Sequence, residues 1–109
     1  MSQSIMHGTL DLLILKSVSL GQQHGYGILL RIEQLSAGGW VIEQGALYPA
    51  LYRLEQKGWI KSEWGTSENN RKAKFYSLTP AGKKQLHLEA ENWRRTVELM
   101  DLTLGTESA

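Results

Sequence analysis

Two tyrosines and an arginine lie close together in the stretch EQGALYPALYRLEQKGWI, and their side chains are suited to binding a polyanion. Tyr48 and Tyr52 are four residues apart, so on a helix they occupy adjacent turns of one side. Their hydroxyl groups can donate to phosphates, and their rings can lie against sugars or thymine methyl groups. Arg53 can pair with a phosphate or a guanine edge, and Gln44 carries an amide able to reach a base. These side chains predict a surface that contacts DNA.

A second group of basic side chains follows in the stretch TSENNRKAKF. Residues 53–84 contain eight basic and three acidic side chains, whereas the segments before and after them carry more acidic than basic groups. Such an excess indicates the part of the chain that meets a polyanion, although a solvated surface of mixed charge explains the same composition. We predict phosphate contacts from four side chains of this segment: Asn70, Arg71, Lys72 and Lys74.

The sequence offers no pattern typical of catalysis, a cofactor or a metal ion. It has no cysteine, and its three histidines fall in separate elements without metal-ligand spacing. It also lacks a nucleophile-elbow motif, a glycine-rich phosphate loop and a histidine–carboxylate cluster. No apolar run approaches the roughly 20 residues needed to span a bilayer, and no signal-peptide pattern opens the chain. We therefore expect a cytoplasmic protein that is not an enzyme.

Apolar spacing predicts three short helices in the first half of the chain. HGTLDLLILKSVSL has leucine, isoleucine and valine at helical intervals, and YGILLRIEQLS is a second such segment that ends at Ala37-Gly38-Gly39. The run WVIEQ, residues 40–44, predicts a short strand. The third helix begins near Gly45 or Ala46, which keeps Pro49 in its first turn, and ends at about Lys57.

The second half predicts a β-hairpin and one long helix. WIKSEWG and KFYSLT alternate between two faces on either side of a polar tip. Thr79 then provides a helix cap, and Pro80 takes the first helical position. From Pro80 to Leu104 the helix would be roughly 37 Å long at 1.5 Å per residue.

A heptad seam on this long helix predicts self-association. Its apolar positions are spaced 4, 3, 4, 3 and 4 residues apart: Leu86, Ala90, Trp93, Val97, Met100 and Leu104. A core of this size cannot cover so long a seam, so the simplest partner is the same helix of a second copy. The first helix is apolar on most of its circumference, and we expect Leu12 and Leu15 to complete this homodimer interface.

The order of elements predicts the fold class. It is mainly α with a small β-hairpin: a winged helix-turn-helix with a long C-terminal dimerisation helix. Residues 8–79 would form the DNA-binding domain, and residues 80–104 the dimerisation helix. In this arrangement the third helix enters the major groove and the hairpin is the wing.

The sequence resembles the PadR-like family of transcriptional regulators over about residues 8–97. The resemblance is carried by GTLDLLIL, HGYGI, EQGALYPALYRLEQKGWI and WGTSENNRKAKFYSLTPAGKKQL, followed by a Trp-bearing helix. The short C-terminal part is similar to the small subclass, which has a single long helix there. The resemblance implies a homodimeric repressor that binds an inverted-repeat operator in double-stranded DNA. It also implies release, in some members, by small aromatic or drug-like molecules.

Residue roles follow from matching the recognition-helix motif. Tyr48, Pro49 and Arg53 match it, with Pro49 serving more to fix the helix start than to touch DNA. Tyr52 either contacts DNA or closes the core beneath the wing. The full set of predicted DNA contacts on this helix is Gln44, Ala46, Tyr48, Pro49, Tyr52 and Arg53.

Trp93 has two interpretations. As an apolar heptad residue it is an interface side chain, whereas in a symmetric dimer two copies could enclose a flat aromatic ligand. The resemblance supports the second, with Leu12, Leu15 and Met100 as the expected lining. A different function for the whole chain also stays open: a winged helix that binds a protein partner instead of DNA.

Overall fold

The structure is a computed structural model that describes residues 7–105. Within them the chain forms helices α1 to α4 and an antiparallel sheet of strands β1 to β3, which confirms the predicted class. The elements are α1 (His7–Ser19), β1 (Gln23–His24), α2 (Gly25–Leu35), α3 (Gln44–Gln56), β2 (Ile60–Thr66), β3 (Lys72–Leu78) and α4 (Pro80–Leu104). None of these helices has the length and apolar character that a bilayer crossing requires.

The sheet is the predicted hairpin with a short third strand that the sequence pattern misplaced. β2 and β3 pair from Ile60 opposite Leu78 to Thr66 opposite Lys72. The other edge of β3 pairs with β1 in the glycine-rich turn, not with residues 40–44. The predicted strand there is wrong: residues 40–43 lie in the connection between α2 and α3 without strand pairing, and Gln44 already belongs to α3.

The core lies where α1, α2 and α3 meet the inner face of the hairpin. It is formed mainly by branched apolar side chains: Leu10, Ile14, Leu15, Val18, Ile28, Leu29, Ile32, Ile42, Leu47, Ala50, Leu51, Leu54, Ile60 and Tyr76. Leu15 is fully buried within this cluster. Its assignment to a dimer interface and a ligand pocket is therefore wrong, because its own protomer leaves it no accessible surface.

Helix α3 begins one residue earlier than the proline suggested. Pro49 lies inside the helix, beyond its first turn. Proline cannot donate the bond that the carbonyl of Gly45 would accept in a regular helix. Gly45 is exposed, so this carbonyl can bind water instead. The helix ends as expected, with Gly58 in the left-handed region at φ +76°.

Helix α4 has the bounds that its spacing predicted, and Thr79 anchors its start. Thr79 Oγ1 accepts a bond from the N–H of Gly82 at 3.0 Å and donates to the carbonyl of Gly58 at 2.6 Å. Gly82 lies against the backbone of Trp59, where a Cβ would stand 1.9 Å from the carbonyl oxygen. The helix is thus fixed to the end of α3 and then extends past the core as an exposed arm.

Candidate nucleic-acid interface

Helix α3 presents a continuous exposed ridge on the side opposite its buried leucines. The ridge consists of four exposed residues at i, i+4, i+7 and i+11, here called the α3 ridge: Gly45, Pro49, Tyr52 and Gln56. Tyr52 is 66% exposed, so the alternative that it closes the core beneath the wing is wrong. Tyr76 occupies that buried place. Gln56, at the end of the ridge, was missing from the predicted contacts.

Tyr48 stands beside the α3 ridge, on the side of the wing. Its ring packs over the backbone of Gly25, where a Cβ would lie 2.8 Å from both Cε1 and the hydroxyl oxygen. The side chain nevertheless stays 46% exposed. The contact therefore orients the ring while leaving its outer edge accessible.

Arg53 stands on the opposite flank of the ridge, beside α1. Its Nη2 donates to Oδ1 of Asp11 at 2.6 Å, and the two side chains are 31% and 12% exposed respectively. A charge-assisted bond of this length fixes the guanidinium group. The structure thus places Arg53 at the edge of the surface, already paired with an acidic residue that the sequence pattern did not single out.

Glu55 connects α3 to the wing. Its carboxylate accepts a bond from Ser62 Oγ at 2.6 Å and lies 3.9 Å from Lys74 Nζ. Since Ser62 belongs to β2 and Lys74 to β3, one side chain spans both strands of the hairpin. These contacts tie α3 to the base of the wing. Lys74 reaches the predicted surface, with part of its charge offset by Glu55.

The wing tip is a compact turn between β2 and β3. The N–H of Ser67 donates to the carbonyl of Arg71 at 2.8 Å, and the N–H of Asn70 donates to the carbonyl of Ser67 at 2.9 Å. Asn70 has φ +59°, a conformation that asparagine tolerates better than most residues. The turn exposes Asn70, Arg71 and Lys72 to solvent, as a phosphate-binding role requires.

A concave surface of about 760 Å³, here called the wing cleft, separates the wing from the start of α2. Its lining combines exposed aromatic rings, cationic groups and one carboxylate: Tyr26, Tyr48, Trp64, Arg71, Lys72, Lys74 and Glu68. Lys72 Nζ stands 5.3 Å from the ring centre of Trp64, a cation–π contact. The alternation in WIKSEWG correctly predicted that Trp64 lies on the hairpin. It did not reveal which face of the hairpin borders the wing cleft.

His24 and Tyr76 also line the wing cleft. His24 caps α2, because its Nδ1 accepts a bond from the N–H of Gly27 at 3.1 Å, and its ring meets Phe75 edge to face. Tyr76 is buried, and desolvation raises the pKa of its phenol, with smaller contributions from Glu55 and Tyr48. Its hydroxyl therefore stays protonated at neutral pH.

Within residues 7–105, no group of three or more His, Cys, Asp or Glu residues is arranged to hold a metal ion.

A second depression, the α1–α4 groove, lies away from the α3 ridge and measures about 480 Å³. Leu12, Trp40 and Trp93 are among its lining residues, together with Leu86 and Ala90 of the predicted seam. Met100 lies two turns beyond Trp93 and does not line this groove within the protomer. Trp93, Val97, Met100 and Leu104 are all exposed, so the seam has an uncovered apolar face in the single chain.

The chain is similar to known transcriptional regulators in both sequence and structure. Residues 14–88 match the model of the Transcriptional regulator PadR-like family. The transcriptional regulator Rv3488 of Mycobacterium tuberculosis is 37% identical over 70% of this chain and 67% of its own length. A solved transcriptional regulator from Clostridium thermocellum, Cth-833, has a TM-score of 0.78 at 33% identity, covering 86% of this chain and 88% of its own. A PadR family transcription regulator from Clostridium difficile R20291 has a TM-score of 0.74 at 31% identity, covering 88% and 98%.

Proposed function

The chain belongs to the PadR-like family of transcriptional regulators, and on this premise we propose that it is a homodimeric repressor of a nearby promoter. Each protomer places its α3 ridge in the major groove of an inverted-repeat operator, and its wing on the flanking phosphates. Occupancy of the operator excludes transcription. A small aromatic molecule held between the protomers relieves repression.

The position of Tyr48 is the observation that carries the DNA-binding part of this proposal. Its side chain flanks the α3 ridge and also lines the wing cleft. The ridge and the basic wing tip are therefore parts of one continuous surface, not two separate ones. A major groove about 12 Å wide admits a helix such as α3, and the adjacent backbone then meets the wing.

The contacts divide into two classes. Tyr52 and Gln56 project from the ridge, and their polar groups are suited to base edges, as is the amide of Gln44 at the start of α3. Ala46 and Pro49 supply apolar surface for contact with thymine methyl groups. Arg71, Lys72 and Lys74 surround the wing cleft and supply positive charge to phosphates. The first class determines the sequence that is bound, and the second supplies affinity without regard to sequence.

The exposed seam of α4 supports the dimer. Four apolar side chains on one stripe of an arm that extends past the core are typical of a helix that packs against a partner. The α1–α4 groove begins where this seam leaves the protomer, so Leu12 and Trp93 belong to the same proposed interface. The paired arms would set the separation of the two α3 helices, which must be about 34–36 Å for half-sites one DNA turn apart.

The effector site is proposed in the α1–α4 groove. Trp93 is 53% exposed and faces a largely apolar depression that also contains Trp40 and Leu12. Flat aromatic molecules stack on such indole rings. A ligand there changes operator affinity only if it binds the DNA-competent and incompetent dimer geometries with different affinities.

The proposal is tested by selecting bound duplexes from a random library and by measuring binding to the region upstream of the chain's own gene. We expect one enriched sequence with two-fold symmetry, bound by a dimer, with an affinity that falls steeply as salt rises. Failure to enrich any sequence, or binding by a monomer, would overturn it. A chain that forms no DNA complex even at low salt but captures a protein through Tyr48 and the wing would instead be an interaction module.

A further inference from the structure

Asp11 places a negative charge at the edge of the proposed DNA-binding surface, where an unpaired carboxylate would repel phosphates. Its Oδ1 accepts the bond from Arg53 Nη2 at 2.6 Å, and the side chain is almost fully buried. We propose that Asp11 is a positioning residue that determines specificity: it aims Arg53 at a base edge and offsets its charge toward phosphates. This inference rests on the proposed function, since it assigns a role within that DNA complex.

The guanidinium group has donors to spare after it binds Asp11. It carries five N–H groups in a planar fork, and the bond to Asp11 uses one nitrogen, Nη2. About a third of the side chain remains exposed on the flank of the α3 ridge. Because one edge of the fork is held by α1, the remaining donors keep a fixed direction before DNA arrives. A preorganised side chain loses less conformational entropy on binding than a free one.

The charge of the pair matters as much as its geometry. A free arginine at this edge would attract any phosphate and so strengthen binding to every sequence. The carboxylate of Asp11 cancels most of that attraction at long range. The directional bonds from the fork to a guanine edge are retained, because they depend less on net charge than the attraction to phosphates does. Asp11 therefore lowers affinity for arbitrary DNA relative to affinity for the operator.

A purely structural role for the pair makes a different prediction. If Asp11 served only to attach α3 to α1, its replacement would lower thermal stability and weaken binding to all duplexes by the same factor. The ratio of operator affinity to scrambled-sequence affinity separates the two roles, because a merely structural change does not move it.

The experiment compares the selected duplex with the same duplex in scrambled sequence, for the full chain and for Asp11→Asn, Arg53→Ala and the double variant. We expect Asp11→Asn to lower the ratio about tenfold, with scrambled-sequence affinity equal to or above that of the parent. In the Arg53→Ala background the same change should alter the ratio by less than about twofold, because the partner is gone. An unchanged ratio in Asp11→Asn, or an equal effect in both backgrounds, overturns the inference.

If Asp11→Asn folds poorly, a second variant tests the same pair through the planar fork of Arg53. Arg53→Lys keeps the positive charge and a bond to Asp11 but lacks the planar fork. We expect it to lose the sequence preference about tenfold while retaining scrambled-sequence affinity, and an unaltered preference overturns the inference. If the parent chain selects no sequence at all, the proposed function has failed, whereas a selective parent with unaffected variants refutes only the role of Asp11.

Discussion

The ring of Tyr48 rests on the backbone of Gly25, so that the first residue of α2 is in direct contact with a side chain of α3. A Cβ at Gly25 would stand 2.8 Å from Cε1 and from the hydroxyl oxygen of Tyr48, and 3.0 Å from Cζ. The absence of a side chain at Gly25 thus allows the ring of Tyr48 to approach the backbone of α2 closely. The glycine of HGYG and the tyrosine of LYPAL are two halves of one contact.

Gly25→Ala is expected to weaken operator binding while changing thermal stability little. The atoms that an alanine Cβ would meet are at the far end of the Tyr48 side chain, which is half exposed and free to rotate outward. The ring then leaves its position between the α3 ridge and the wing cleft. We expect Gly25→Ala to lose about as much operator affinity as Tyr48→Ala. Fluorescence anisotropy with the selected duplex measures this loss.

The two substitutions should not add. Once Tyr48 is alanine, a Cβ at Gly25 has no ring to displace, so Gly25→Ala should have little further effect on DNA affinity. Additive losses would show that Gly25 acts through its own backbone and not through Tyr48.

Removal of a wing-tip charge is expected to weaken binding to all sequences alike. Arg71→Ala or Lys72→Ala should lower the slope of log affinity against log salt by about 1 each, because one phosphate contact is lost. Lys84→Ala is the matched control, since this exposed lysine lies on α4 instead of the wing. A slope that stays constant in both wing variants, or falls equally in Lys84→Ala, would contradict phosphate binding by the wing.

The sequence predicted the elements whose signals are local. Apolar spacing predicted α3, whose Leu47, Leu51 and Leu54 are buried, and Thr79-Pro80 predicted the start of α4 to the residue. The tip of the hairpin was found because its polar residues interrupt two alternating strands. In each case neighbours in sequence supply the physical cause, so no tertiary information is needed.

What the sequence did not predict depends on contacts between distant residues. Strand β1 exists because β3 offers an unpaired edge to Gln23 and His24, which no pattern in a two-residue strand reveals. Leu15 has the same helical spacing whether it faces a partner or its own core. Asp11 and Arg53 are 42 positions apart, and neither residue type identifies the other as its partner.

Gly82→Ala is expected to destabilise the fold. A Cβ there would lie 1.9 Å from the carbonyl oxygen of Trp59 and 2.8 Å from its carbonyl carbon, and both are backbone atoms that cannot rotate away. Crowding of this kind costs about 1–3 kcal/mol of the free energy of unfolding. Urea denaturation at fixed protein concentration measures it. Gly8→Ala is the control, because nothing lies within 4 Å of a Cβ at that helical position.

Tyr76 should make the protein less stable at alkaline pH. Burial raises the pKa of its phenol in the folded chain, and Glu55 and Tyr48 add to the effect. The stabilising contribution of the neutral phenol is fully present below the usual pKa of about 10. It is lost as pH rises toward the raised folded-state pKa, because the unfolded chain ionises first. As pH rises above the usual tyrosine pKa of about 10, we expect the free energy of unfolding to fall less in Tyr76→Phe than in Tyr52→Phe, which keeps Tyr76. Equal declines would show that Tyr76 is not the residue responsible.

The seam of α4 predicts that a charge on one side of the helix separates the protomers and a charge on the other does not. Val97 and Leu88 are both exposed, and at 3.6 residues per turn they stand two and a half turns apart, on opposite sides. Val97→Glu would place a carboxylate inside the proposed apolar interface, where its desolvation is unfavourable without a partner charge. Sedimentation velocity should show mainly monomer for Val97→Glu and mainly dimer for Leu88→Glu at the same micromolar concentration. Operator affinity should fall as the fraction of dimer falls, because two linked α3 helices bind two half-sites far more tightly than one helix binds a single half-site. A Val97→Glu chain that sediments as a dimer would place the interface elsewhere, and equal dissociation in both variants would show that the helix associates without a preferred face.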